Sequence, residues 1–458
     1  MHRSITAIIV LSLGSTHLGA ADDELLAGQL AQRDLYTRQI RTLELERGHF
    51  DRTLVEPLVQ QAQLSMALND FEQANTSLER AVQVLRMSDG LYTPAQFPLL
   101  NLQVENDVRR GNWVAANGHL EHLYWLYVNK HRGIDDALIG ELRALSAFHL
   151  EAVATDDPAQ QAYHFREAAR ISTVTLRAAT YLWGEHDVRL AELNYELVKQ
   201  FYLQAVAVDR GTRTGYELRE VAPGSSWIRS RQTAMRAYYQ SGMRLLRQTR
   251  ALYEEQNPPD QEGVAMADIY IADWQILFTR DDAVETYERA HGRLLAAGVD
   301  HSALETFFCH PQILPQSQFH ASVASALTAR QSAPSSMSSQ FPDSDVALRF
   351  SEWSGAFPDV PFPFPQARFR FQDEQQWGSA VLSFTLSGME KVSRWVNGRY
   401  VTRLSVPDRL EVISQDPASA MEAGSFAEKL HYLHFRPRLV AGVPETAQGT
   451  LEYQFTGR

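Results

Sequence analysis

The chain has 458 residues, of which 44% are hydrophobic and 21% charged. That length exceeds what one hydrophobic core holds and implies at least two domains. The formal net charge of -12 argues against a surface built for phosphate backbones, so no nucleic-acid partner is expected.

The chain opens M-H-R-S-I-T-A-I-I-V-L-S-L. Arg3 gives a basic start, Ile5 to Leu13 an apolar run, and Gly19-Ala20-Ala21 small residues before Asp22. This order predicts a signal peptide over residues 1–21. The run falls short of the ~20 residues a membrane span needs, and Ser12, Ser15, Thr16 and His17 dilute it. An uncleaved inner-membrane anchor is the alternative. No later stretch is apolar enough to span, so no stable membrane span is expected. Cys309 is the only cysteine, which rules out an intramolecular disulfide. An exported chain without a disulfide framework fits a bacterial periplasm.

Residues 22–310 read as helix throughout. Glu24 to Glu46 is one long amphipathic helix, and a repeating theme follows it. Ala74, Leu78 and Ala81 stand at i, i+4, i+7, one face of a helix. The same trio returns as Ala116, Leu120, Leu123, then as Ala162, Arg166, Ala169. It returns again as Ala234, Tyr238, Ser241 and as Ala283, Tyr287, Ala290. A small residue leads each trio because the second helix of a hairpin must approach its partner closely. Four trios follow a turn, such as Asn69-Asp70-Phe71 or Gly111-Asn112-Trp113. Gly211 to Ser226, rich in Gly, Thr, Pro and Ser, is expected to be a long loop inside the fourth hairpin.

This pattern resembles the tetratricopeptide repeat over residues 52 to about 298, in a form with longer helices. The resemblance implies an α-solenoid with a concave face lined by the first helices of the hairpins, and protein binding without chemistry of its own.

Residues 311–345 are Pro- and Ser-rich, most of all Gln331 to Asp345, and are expected to be a linker. Beyond it, residues 346–458 change texture. Gly378 to Leu386 alternates, with Ala380, Leu382, Phe384 and Leu386 on one face, and predicts a half-buried strand. Arg409 to Ser414 predicts a second strand. Phe426, Leu430 and Leu433 predict a short amphipathic helix stopped by Pro437, with a turn at Gly442 and Pro444. Thr450, Leu451, Glu452, Tyr453, Gln454 and Phe455 predict a last strand.

This order, with Phe364-Pro365, Gly378, Val381, Phe426, Phe435-Arg436-Pro437 and Gly442-Val443-Pro444, resembles the C-terminal domain of TonB, the periplasmic energy transducer of Gram-negative bacteria. The resemblance implies a small α+β domain, an antiparallel sheet with one helix. It also makes Thr450 to Phe455 an edge strand to which a partner peptide could add. Met389 to Asp408, with Trp395 and Tyr400, is an insertion against that pattern.

No phosphate loop, nucleophile elbow or zinc-protease motif is present. His119 and His122, and His431 and His434, are spaced three apart on predicted helices, without a third ligand at motif spacing, and read as packing and surface residues. Cys309-His310 lacks a second pair, and no metal or cofactor is expected. Asp156-Asp157 and Asp281-Asp282 read as helix caps. The sequence therefore predicts a mostly α protein, a solenoid followed by a small α+β domain. Its expected role is a non-enzymatic periplasmic adaptor binding periplasmic or outer-membrane proteins or peptides. The alternatives are a divergent energy transducer and a cell-envelope enzyme with its site near Gly211–Ser226.

Overall fold

The computed structural model describes residues 18–130, 133–223, 230–332, 345–351, 376–396, 398–416 and 430–456. Contacts divide the chain into two compact units, Met1–Arg132 and Gly133–Arg458. Most of the signal-peptide segment, together with Phe364, Pro365 and Phe426, lies outside the described residues.

The first unit is helical: α1 (Leu18–Arg47), α2 (Val55–Ala67), α3 (Phe71–Ser88), α4 (Phe97–Arg109) and α5 (Trp113–Lys130). Helices α2 and α3 form one hairpin and α4 and α5 a second. Ala74, Leu78, Ala81, Ala116, Leu120 and Leu123 are all buried on the second helices of these hairpins. The hairpin turns use the same device. The Asn69 and Asp70 amides close onto the Met66 and Ser65 carbonyls, and the Gly111 and Asn112 amides close onto Val108 and Asp107. This bonding puts one residue in the left-handed region, Asn69 (φ 58°) and Gly111 (φ 73°), residue types that tolerate it.

The second unit holds α6 (Asp136–Thr155), α7 (Gln161–Trp183), α8 (Leu190–Arg210), α9 (Arg213–Glu220), α10 (Arg231–Glu254), α11 (Gln261–Leu277), α12 (Ala283–Ala296) and α13 (His301–Phe308). Three more hairpins pair α6 with α7, α8 with α10, and α11 with α12. The stretch expected to be a loop between α8 and α10 contains α9, whose start Thr212 caps by accepting from the Gly215 amide. In α7 the buried face is not the expected one. Arg166 is exposed, and Phe165 and Ala168 are buried beside Ala162, with Ala169 at the margin. Asp157 caps the turn before α7, but Asp282 makes no side-chain cap at α12. Asp281 instead pairs with Lys391 at 2.8 Å.

Helix α11 is buried from Gly263 to Leu277. It packs against α10, α12 and the C-terminal segment and so is enclosed on every side, and its buried Asp268 and Asp273 are paired with arginines. Gly242 on α10 makes room for it. A Cβ there would stand 2.2 Å from the Trp274 ring.

Residues 311–332, expected to belong to a linker, carry regular elements. Strand β1 (Gln312–Leu314) pairs antiparallel with β7 (His434–Arg436), and α14 (Val323–Ser332) follows β1. Residues 311–332 are therefore structure, because Ile313 joins the sheet core and Val323 the helical core; 333–344 lie outside the described residues. The remaining strands are β2 (Val346–Ser351), β3 (Gln376–Leu386), β4 (Lys391–Val396), β5 (Arg399–Leu404), β6 (Asp408–Asp416), β8 (Arg438–Val440), β9 (Val443–Glu445) and β10 (Ala447–Thr456).

The main sheet has the order β2-β10-β3-β6, antiparallel except where β2 runs parallel to β10. Thr450 to Gln454 is thus central and not an edge, because both of its sides carry ladder partners, 347–351 on one side and 379–383 on the other, while Phe455 pairs with Gly378. The expected alternation holds on β3, with Ala380, Leu382, Phe384 and Leu386 buried. The helix expected from Phe426 is, in its described part, a single 3-10 turn at Leu430–Tyr432, after which β7 begins. Phe435 is buried against Phe384, and pairing with β1 extends the backbone where the helix was expected. Val381 and Gly378 lie on β3, and Gly442 (φ 86°) with Ala441 (φ 50°) turns β8 into β9, which carries Pro444. The Met389–Asp408 insertion is the β4–β5 hairpin. It buries Val396, Val401 and Leu404 in the helical core and leaves Trp395 and Tyr400 outward.

Candidate functional site

Two polar clusters tie the C-terminal segment to the helices of the second unit. The first is closed. Arg436, at the end of β7, donates two hydrogen bonds to Asp273 of α11, at 2.9 and 2.5 Å. Tyr287 of α12 donates to the same carboxylate at 2.5 Å. The Arg436 guanidinium lies 5.7 Å from the Tyr270 ring and 5.2 Å from that of Phe307. Burial would lower its pKa, but Asp273 opposes that and raises it above the ordinary arginine range. The Tyr287 hydroxyl is likewise held protonated by burial and by the neighbouring carboxylate.

The second cluster is crowded and lies beside open space. Asp209, near the end of α8, accepts from Arg403 of β5 and, at 3.3 Å, from the Tyr432 hydroxyl. Arg399 stands 3.2 Å from it and Arg231 3.9 Å. Burial would raise the Asp209 pKa, but Arg403, Arg399 and Arg231 together hold it below the ordinary carboxylate range. Arg210 and Arg403 flank the Tyr432 ring at 4.9 and 5.0 Å. Among the described residues, this one carboxylate faces three guanidinium groups, those of Arg403, Arg399 and Arg231.

His431 and His434 brace this arrangement. Their ring nitrogens face the Val401 and Leu404 carbonyls of β5 at 3.0 and 2.9 Å. A neutral ring donating to each carbonyl fits the cause of their pKa shifts. Burial, then nearby Arg403, pushes His431 down to about 4 and His434 down to about 3. The pair therefore holds the β4–β5 hairpin in place. His119 stands 3.4 Å from Asp107, and His122 is parallel to the Trp125 ring at 6.4 Å, so the first pair is also engaged locally.

Beside Asp209 a cleft of about 240 Å³ opens between α8, α10, the end of α11 and the C-terminal segment. Tyr202, Met235, Tyr239 and Phe278 form its apolar walls, and Arg236, Arg280 and Arg403 its cationic ones. Thr279 lines it as well. The turn after α11 repeats the device of the first unit: the Thr279 and Arg280 amides close onto the Ile276 and Gln275 carbonyls. Thr279 consequently has φ 58°, a conformation costly for a β-branched side chain. Its hydroxyl is buried without a hydrogen-bond partner among the described residues. The equivalent positions are Asn69 and Gly111, so the strained residue occurs in the turn that lines the cleft.

The residues expected to matter are distributed differently. Ala74, Ala81, Ala116, Ala162, Ala234, Ala283 and Ala290 are buried packing positions, and Ala169 is half-buried. Of the described motif residues, only Arg436 joins a polar cluster. Asp209, Asp273, Thr279 and the arginines of α10 did not stand out in the sequence. One signal was present: a Thr where the parallel hairpin turns carry Asn and Gly. No family model matches the chain, and no curated protein matches it either.

Proposed function

We propose that this chain is a non-enzymatic binding protein, an adaptor whose recognition surface is the cleft between α8, α10 and the C-terminal segment. The observation that carries this reading is the composition of the cleft: aromatic and methionine walls with arginines at the rim, beside a carboxylate already saturated with cations. Such a surface desolvates apolar groups and attracts negative ones, which is the anatomy of recognition. The helical hairpins support it as a rigid scaffold, and their resemblance to tetratricopeptide repeats supports a protein as partner. Strand addition at Thr450–Phe455 is not part of the proposal, since that strand is central. The signal-like residues 1–21 support export to a periplasm, which N-terminal sequencing of the mature protein tests: a start near Asp22 is expected.

A photo-crosslinking residue at Gln240, exposed on α10 next to Tyr239 of the cleft wall, tests the binding role in the native cell. A control at Tyr181, which is 81% exposed on α7, reports background. Discrete protein adducts at Gln240, absent at Tyr181, are expected. Equal adducts at both positions would contradict the reading.

A further inference from the structure

The cleft does not end at Tyr239. A second hollow of about 540 Å³ adjoins it there and continues along the exposed side of α10, past Met243, Arg244, Arg247 and Ala251. A third, of about 440 Å³, takes over at Gln248 and Ala251 and ends against Glu185, His186 and Glu255. Because neighbours share Tyr239, then Gln248 and Ala251, we read the three as one groove along α10. From Arg236 to Ala251 the helix rises about 22 Å at about 1.5 Å per residue. About seven residues of extended chain, at about 3.3 Å each, would match that length.

The groove has a charge gradient. Helix α10 carries five arginines in a chain of net charge -12. Arg250 is used locally, against Glu254 at 2.6 Å and Asp268 at 3.1 Å, and Arg231 faces Asp209. Arg236, Arg244 and Arg247 have no carboxylate within 4.0 Å among the described residues. Arg280 adds a fourth cation at the cleft, 3.9 Å from Asp282. The opposite end of the groove is acidic, with Glu185 and Glu255.

Resting on the binding reading above, we propose that this groove takes an extended acidic peptide segment of a partner protein. The carboxylates lie at the Arg236–Arg280 end, and any basic residue or amino terminus lies at the Glu185–Glu255 end. Each feature of the groove answers to a part of that ligand. Guanidinium groups pair with carboxylates in fork geometry. Met235, Tyr239 and Met243 accept apolar side chains of varied shape. Gln240 and Gln248 offer amides to a peptide backbone. The buried Thr279 hydroxyl, held in the cleft by a costly backbone conformation, gains a carboxylate or carbonyl acceptor. A sugar polymer would be served by a row of aromatic rings, and along α10 only Tyr239 lies in the groove.

Fluorescence anisotropy of the full chain with labelled seven-residue peptides tests the proposal. One peptide carries a Lys at its amino end, a central Leu and two Glu at its carboxyl end; a second has the reversed charge order; a third replaces Glu by Lys. The first is expected to bind at least tenfold more tightly than the third and several-fold more tightly than the second. Arg236→Glu with Arg244→Glu, exposed changes that break no ion pair among the described residues, should cost at least tenfold while circular dichroism and the melting temperature stay unchanged. Thr279→Gly should weaken binding without loss of fold. Equal binding of all three peptides, or indifference to the charge reversal, would overturn the proposal. So would tighter binding of dextran sulfate than of polyglutamate, which would assign the groove to anionic polysaccharides. Self-association in sedimentation that the charge reversal abolishes would put a second copy there and overturn it too. If the peptides fail while the Gln240 adducts persist, the binding reading stands and only the ligand class falls. If both fail, both fall.

Discussion

The Asp273 and Asp209 clusters tie the same C-terminal segment to the same helical unit, yet they differ in kind. At Asp273 one carboxylate meets one guanidinium in a bidentate pair, with a tyrosine hydroxyl donating to the same oxygen as the Arg436 Nε and rings around it. At Asp209 one carboxylate is shared among Arg403, Arg399 and Arg231 beside an open cleft. A balanced, closed pair serves as a fastening. A cluster with surplus charge beside space is suited to receive a charge from outside. The difference separates structure from recognition within one unit, although both clusters are built from the same residue types.

The largest effect is expected at the fastening. Asp273→Ala leaves Arg436 buried without its partner and should cost about 3–5 kcal/mol, measured by urea denaturation. Replacing both partners by apolar residues, Asp273→Leu with Arg436→Met, should recover much of that loss. A single-variant cost below about 1 kcal/mol would show that the pair is not the fastening.

Acid should come next. In the folded chain burial lowers the pKa of His431 to about 4 and of His434 to about 3, against about 6.5 when unfolded. Between those values the unfolded state binds more protons, so stability is fully present above about pH 6.5 and falls as the pH falls. Each histidine contributes up to about 1.4 kcal/mol per pH unit in that window. His434→Gln, which keeps a donor for the Leu404 carbonyl, should flatten the slope of stability against pH between 6 and 4.

Asp209→Asn should cost less than Asp273→Ala, about 1–2 kcal/mol, because its cations border the cleft and water can solvate them in part. Smallest, and opposite in sign, is Thr279→Gly. Relief of the left-handed strain should stabilise the chain by up to about 1 kcal/mol. A destabilisation there would mean that the threonine is held for packing.

Local pattern carried much of this fold into the sequence. All five trios fall on the second helices of hairpins, because a helix buried on one face must repeat apolar residues every three to four positions. The α7 trio slipped by one position, since Ala162 and Ala169 bracket Phe165 and Ala168 and either pair gives a plausible stripe. The β3 alternation and the β6 strand were equally legible. What failed depended on contacts distant in sequence. Leu430 to Phe435 has helical spacing, but pairing of 434–436 with 312–314 pulls it into a strand. The last strand read as an edge through the resemblance to the TonB C-terminal domain, but 346–351, where no strand was expected, pairs parallel with it. The clusters were illegible for the same reason: Asp209 and Arg403, or Asp273 and Arg436, lie more than 160 residues apart.

The contrast between the two clusters is tested most directly by titrating the Glu-bearing peptide into wild type, Asp209→Asn and Asp273→Asn, each under conditions where it is folded. Removing the Asp209 charge frees cations for the ligand, so binding should tighten several-fold, while Asp273→Asn should bind like wild type. Loss of binding in Asp209→Asn, or equal changes in both variants, would contradict the division into a recognition cluster and a fastening.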